Sequence, residues 1–220
     1  MRDSTRDRLL ETIEAATRLF LAAGYRRTTM AHVAEALLVS EPAVYRYVES
    51  KEALFALVLR QAVEPAYLES VRSLPYPTPV PEETLRFIRE MLEAETRIAA
   101  LAPERNPAGD DARGLAELEE IIGALYDRAD RFHLALKLVE RSVMDWPELA
   151  ALWFGEIRPR LLSQLTRYLS GRHEEGLLRV SGHPSISARL ILEVVAYFAM
   201  HRHTDPRPPD ASPETLRAVV

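Results

Sequence analysis

The chain has 220 residues, 47% hydrophobic and 28% charged, the balance of an ordinary globular protein with enough apolar material for a core. It contains no cysteine, which excludes disulfides, thiolate metal sites and cysteine nucleophiles. Its net charge of −5 argues against a whole-surface attraction to nucleic acid, so any contact with a polyanion must come from the placement of individual cations.

The N-terminal stretch MRDSTRDRLLETIEAA is charged and amphipathic, unlike a secretory signal. A first helix is predicted from about Ser4 to Ala23, with Ile13, Ala16, Leu19 and Phe20 as its apolar stripe and Gly24 as its stop. It reads as a core brace; its first turn, with Thr5 and Arg6, suits phosphate contact and a plain solvated face equally. Two short helical patterns follow with only a few residues between them. The first runs from about Thr29 to Leu37, with Met30, Val33, Ala34 and Leu37 at helical spacing. The second starts at Ser40, an N-cap residue type, followed by Glu41 and by Pro42, whose missing N–H costs nothing in a first turn. A third helix opens at Ser50, with Lys51 and Glu52 in its first turn and Leu54, Phe55, Val58 and Leu59 as its inner face. A short helix, a tight turn and a second short helix suit a helix-turn-helix, whose second helix enters the major groove of DNA.

Residues 6–60 resemble the DNA-binding domain of TetR/AcrR transcriptional regulators, through Gly24-Tyr25, Thr28-Thr29, Val33-Ala34, Val39-Ser40, Tyr45-Arg46-Tyr47 and Ser50-Lys51-Glu52. Two positions depart from the family pattern. Leu38 stands where a turn glycine is usual, which predicts backbone strain, and Val48 stands where phenylalanine is usual, which predicts a slightly looser core. The candidate DNA-contacting residues are Thr29, Ser40, Glu41, Pro42, Ala43, Tyr45, Arg46, Tyr47 and Lys51. Thr29 and Ser40 offer hydroxyls to phosphate, and Lys51 an ammonium beside a helix N-terminus. Arg46 has the reach to read guanine or to grip phosphate, and Pro42 and Ala43 can touch a thymine methyl. Tyr45 reads either as a core aromatic or as a phosphate contact. Residues 1–61 hold nine basic and eight acidic side chains, a charge of only +1.

The third helix is expected to continue towards Ser73, kinked or broken at Pro65. The resemblance implies that it is a lever between two domains. PYPTPVP at 75–81 cannot be helical and forms a hinge. Further helices are predicted from Pro81 to about Leu101, from about Ala112, carrying Leu115, Leu118, Ile121, Ile122, Leu125 and Tyr126, and from Asp130 to the Met144–Trp146 junction. APERNPAGDD at 102–111 reads as a loop. The helix at about 147–170 should bend at Pro159, and the helix at about 185–201 is apolar nearly all round, which suggests that a partner chain covers one face. A last short helix begins near Ser212 and is cut short at Val220.

These elements define an all-α protein: a three-helix DNA-binding domain at 1–50, a connecting helix at 51–74, and a larger helical ligand-binding and dimerisation domain at 75–220. The resemblance implies a repressor that binds a palindromic double-stranded operator as a homodimer and is released by a small molecule. Pairing is expected through the helices at about 147–170 and 185–201. The resemblance also implies a pocket in the larger domain. Candidate liners are Phe87, Met91, Tyr126, Phe132 and Trp153, with Met144 and Phe154 also available, though each reads equally well as core. His201 and His203 lack the converging carboxylates of a metal site, and no cofactor motif is visible. No signal segment or membrane-length apolar run occurs, so a cytoplasmic location is expected. Two other readings stand beside this one. A helical ligand- or partner-binding protein that has lost specific DNA binding is supported by Leu38, Val48 and the nearly neutral N-terminal segment. An all-α enzyme lacks any catalytic constellation.

Overall fold

A computed structural model describes residues 3–97, 101, 111–180, 182–208, 210–212 and 215. Ile98, most of the predicted 102–111 loop and the body of the last short helix lie outside these residues. Regular secondary structure among the described residues is all helical, apart from one isolated bridge between Val48 and Tyr76. Packing divides the chain into two compact units, Met1–Met91 with Leu134–Ala150, and Leu92–His133 with Ala151–Val220.

In the first unit, α1 spans Asp3–Ala23 and buries Leu9, Ile13, Ala16 and Phe20, one stripe at helical spacing. Gly24 ends it at φ +83, a conformation that suits only glycine without strain. The same glycine admits a close approach: a Cβ added there would lie 3.0 Å from Asp145 Oδ2. The helix α2, Met30–Ala36, is capped by Thr29, whose hydroxyl accepts from His32 N at 3.2 Å. Leu38 then takes φ +55, so the turn keeps its left-handed residue although a leucine occupies it. The predicted strain is present in the backbone. The next helix, α3, is only Glu41–Val44, with Ser40 as N-cap, and turns cover 45–47.

The helix α4, Lys51–Val63, starts at Ser50, whose hydroxyl accepts from Ala53 N at 3.0 Å. Every residue from Ala53 to Leu59 is buried. The chain breaks after Val63 and resumes as α5, Tyr67–Ser70, so Pro65 interrupts the helix rather than bending it. Val48 is fully buried. The proline-rich segment is extended and pairs back onto the end of the α3 region. Tyr76 N donates to Tyr47 O at 2.7 Å, and Glu49 N donates to Tyr76 O at 3.0 Å. Thr78 adds a backbone bond to Glu49 Oε2 at 2.9 Å and a hydroxyl bond to Ser50 Oγ at 2.8 Å. The helix α6, Pro81–Thr96, begins in this unit. Helices α8, His133–Ser142, and α9, Pro147–Ala150, flank the Met144–Trp146 junction. Arg141 ties this region to α1 by donating to Ala22 O at 2.8 Å.

In the second unit, α7, Asp111–Arg131, packs with α10, Arg158–Glu174, and α11, Pro184–Ala199. Ile121, Leu125, Tyr126, Leu165, Leu169, Ala188 and Val195 form the core. Arg172 and Glu117 make a buried ion pair at 3.0 Å, and Arg172 also reaches Glu175 at 2.9 Å. Gly114 lies directly against the Leu177 backbone, where a Cβ would collide with the carbonyl oxygen. Leu115, near the start of α7, is 53% exposed, whereas Leu118, one turn further on, packs against this core. The bend expected near Pro159 is realised as a π-helical stretch, Ala151–Ile157, just before α10. Widening the turn moves the carbonyl four residues back out of the way of the proline ring. On α11, Ile186, Leu190, Val194 and Tyr197 form an exposed apolar stripe. No helix among the described residues is long and apolar enough to cross a membrane.

Candidate nucleic-acid interface

The α3 region presents its polar residues outward because its apolar ones are held from below. Val44 and Val48 are buried, one turn apart, and α3 packs on α2, which holds the segment with that side inward. With that face committed, Ser40, Glu41, Pro42, Tyr45 and Arg46 are exposed, and Ala43 and Tyr47 are half-buried. Thr29 is exposed at the start of α2. Tyr45 is therefore a surface residue and not a core aromatic; its hydroxyl makes only a long contact of 3.5 Å to Glu41 Oε1. Burial, acting with the Glu41 carboxylate, raises the Tyr45 phenol above its ordinary value, so it remains a hydrogen-bond donor at neutral pH. Ser40 caps α3 by backbone conformation alone, without a side-chain hydrogen bond, which leaves its hydroxyl available.

Lys51 sits differently from the others. It is half-buried, donates to Tyr25 O at 3.2 Å, and rests over the Tyr25 ring at 4.4 Å from the centroid. The Tyr25 hydroxyl in turn donates to Glu52 Oε1 at 2.8 Å. Sequence motifs separated by 26 positions thus meet as one bracket: Gly24-Tyr25 closes over Lys51-Glu52. Burial raises the Tyr25 phenol, and the hydrogen bond to Glu52 adds to the rise. Burial opposes ionisation of Glu52, but the bond from Tyr25, with backbone and Ser50 donors and the nearby Lys51 charge, outweighs it and lowers the carboxyl.

Residues 13–58 match the family profile described as bacterial regulatory proteins, tetR family. This segment is a tetR-family DNA-binding domain. The chain as a whole has the fold of solved regulators. It is similar to PfmR, a TetR family transcriptional regulator from Thermus thermophilus, at 19% identity and a TM-score of 0.51, over 97% of this chain and 92% of that one. A member of the TetR transcriptional regulator family from Streptomyces coelicolor is similar at 19% identity and a TM-score of 0.54, over 94% and 84%. The ketosteroid transcriptional regulator KstR2 of Mycobacterium tuberculosis is similar at 15% identity and a TM-score of 0.51, over 100% and 90%. No curated protein matches the chain.

The candidate ligand residues fall in both units. Phe87 and Met91 belong to the first, where Phe87 is half-buried with the Arg60 guanidinium 4.6 Å above its ring, and Met91 is buried. Tyr126, Phe132 and Trp153 belong to the second. Tyr126 is buried; Phe132 and Trp153 are half-buried. The Tyr126 hydroxyl and the Trp153 indole nitrogen are buried polar atoms with no hydrogen-bond partner among the described residues. Met144, at 84%, and Phe154, at 48%, are exposed on the outside and enclose nothing. Two features near α3 escaped the sequence reading. His32 acts where a capping box usually has Glu or Gln, a substitution that hides the signal. The pairing of 76–78 with 47–50 leaves no trace in a run whose prolines simply read as a hinge.

Proposed function

We propose that the chain is a homodimeric repressor that binds a palindromic operator through α3 and is released by a small molecule bound in its larger helical portion. In functional terms, residues 1–50 bind DNA, 51–74 connect, and 75–220 bind ligand and dimerise. The observation that carries the reading is the α3 region: a buried Val44–Val48 underside and an exposed polar face with a single arginine, Arg46, at its centre. Arg46 reads or grips DNA; Thr29, Ser40, Tyr45 and Tyr47 position it on phosphate; and Glu41, Pro42 and Ala43 face the base edges. Lys51, committed to Tyr25, contributes its field more than a direct contact.

Dimerisation is supported by the stripe of Ile186, Leu190, Val194 and Tyr197 on α11, an apolar face that a second copy would bury. The helix at about 147–170 supplies the rest of that surface. The ligand is supported by the Tyr126 hydroxyl and Trp153 nitrogen, two buried polar atoms without a partner among the described residues, whose hydrogen bonding a bound molecule would complete. Release requires that the ligand bind one conformation more tightly than the DNA-bound one.

The test starts with recovery of fragmented genomic DNA by the full chain at near-physiological salt with competitor DNA. Fragments sharing an inverted repeat are expected. Arg46→Ala should then weaken operator binding by roughly 10- to 100-fold, the value of one good base or phosphate contact, with the dimer intact. Recovery of only salt-sensitive, sequence-independent DNA would sink the reading.

A further inference from the structure

The first unit holds a cavity of about 240 Å³ that the proposed DNA contacts and the candidate ligand residues do not use. Its walls are the rings of Tyr25, Phe55 and Trp146, its charged rim is Glu52 and Asp145, and Pro79 closes one side. The three ring centroids lie 4.9 Å (Tyr25–Phe55), 6.2 Å (Tyr25–Trp146) and 6.4 Å (Phe55–Trp146) apart. We propose that this cavity binds a small organic cation, of the substituted-ammonium class.

The chemistry follows from the lining. The aromatic rings that line the cavity carry quadrupoles that attract a cation, and Tyr25 already holds one, the Lys51 ammonium. Two carboxylates against that single ammonium leave the lining net negative. Glu52 is occupied by the Tyr25 hydroxyl, whereas Asp145 has, among the described residues, a long 3.3 Å contact from Arg26 N. A neutral apolar occupant would fill the aromatic walls but strip water from these carboxylates without replacing it, which is costly. A cation with an apolar shell satisfies both parts of the lining. A bare metal ion does not, since no cluster of three or more metal-ligating side chains occurs among the described residues.

The position gives binding a consequence, and this clause rests on the proposed function. Pro79 and Phe55 line the cavity, and Pro79 follows directly on the 76–78 segment that is hydrogen-bonded to Tyr47, Glu49 and Ser50 at the end of the α3 region. An occupant therefore presses on the support of α3.

The experiment uses the full chain without DNA, so its outcome is independent of operator binding. Tetramethylammonium chloride is titrated at constant ionic strength, with tert-butanol, a neutral molecule with the same number of heavy atoms, as the control. Of the chain's two tryptophans, Trp146 lines the cavity; Trp153→Phe isolates its fluorescence, and ligand-observed NMR on the unmodified protein reads the same binding from the probe's methyl signal. A saturable change with tetramethylammonium, none with tert-butanol, and at least a tenfold weaker affinity in Asp145→Asn are expected. Glu52→Gln, which keeps an acceptor for Tyr25, carries the same tenfold test if Asp145→Asn does not fold. No saturable binding, equal binding of tert-butanol, or an affinity unchanged by loss of the carboxylate charge would overturn the proposal.

Discussion

Helices α4 and α11 carry the same sequence signature and meet different fates. Both are apolar nearly all round. In α4, every residue from Ala53 to Leu59 is buried within the chain's own first unit. In α11, Ala188, Val195 and Ala199 are buried, but Ile186 and Leu190 are each 61% exposed, and Val194 and Tyr197 continue the stripe. Hydrophobicity states that a surface wants cover; it does not state whose atoms provide it. The first helix is closed by local elements that fold onto it, α1 above all. The second has a face left exposed by the described residues, which is the physical content of the proposed dimer.

That contrast can be broken most directly in α4. Leu57 is fully buried, so Leu57→Ala should cost about 2–5 kcal/mol, in the usual range for a leucine truncated in a core. Because the cover is internal, the loss measured by denaturant unfolding should be the same at every protein concentration. A concentration-dependent loss would mean that α4, too, depends on a partner.

Leu190→Glu on α11 should do the reverse. A charge placed in the stripe should halve the particle mass in sedimentation, with a loss of pairing energy of about 2 kcal/mol or more, the range of an interface hot spot. The monomer's own unfolding should change little. A variant that stays dimeric would move the interface elsewhere.

Gly24→Ala sharpens the α4 side of the comparison, since Gly24 permits the close approach of Asp145 to the α1 end that covers α4. The positive φ alone should cost about 1–2 kcal/mol, and the Cβ 3.0 Å from Asp145 adds to it. Thermal unfolding reads the loss, and an unchanged midpoint would show that the approach is not needed.

The smallest effect concerns pH. The Glu52 carboxyl, in the first turn of α4, is lowered below its ordinary value of 4.5. A carboxyl lowered on folding contributes stability above its unfolded pKa and loses it as the pH falls through the folded one. Glu52→Gln should therefore flatten the stability–pH curve below about pH 5 while leaving α11 pairing untouched. Parallel curves for the two proteins would assign the acid sensitivity to other groups.

Much of the DNA-binding region was legible because its signals are local. Ser40 occupies its expected cap position, the third helix opens at Ser50 as read, and Pro65 interrupts the helix as its missing N–H requires. Leu38 takes the left-handed conformation that its turn position demands, against the preference of its own side chain. Tyr45 could not be assigned from spacing alone: it lies one residue beyond α3, where the chain has already turned and helical periodicity no longer predicts a face. The candidate ligand residues were the least legible, because aromatic residues in a core and around a ligand have the same composition.

By itself the sequence determined the helices, their caps and breaks, the helix-turn-helix spacing and the two strongly apolar helices, all set by hydrogen bonds and periodicities that span a few residues. Tertiary structure decided the rest. It brought Tyr25 and Phe55 against Trp146, set Asp145 on Gly24, and laid 76–78 along the end of the α3 region. It also chose which face of α11 stays uncovered. These juxtapositions close loops of tens to more than a hundred residues, and packing selects them among many alternatives that local spacing does not distinguish.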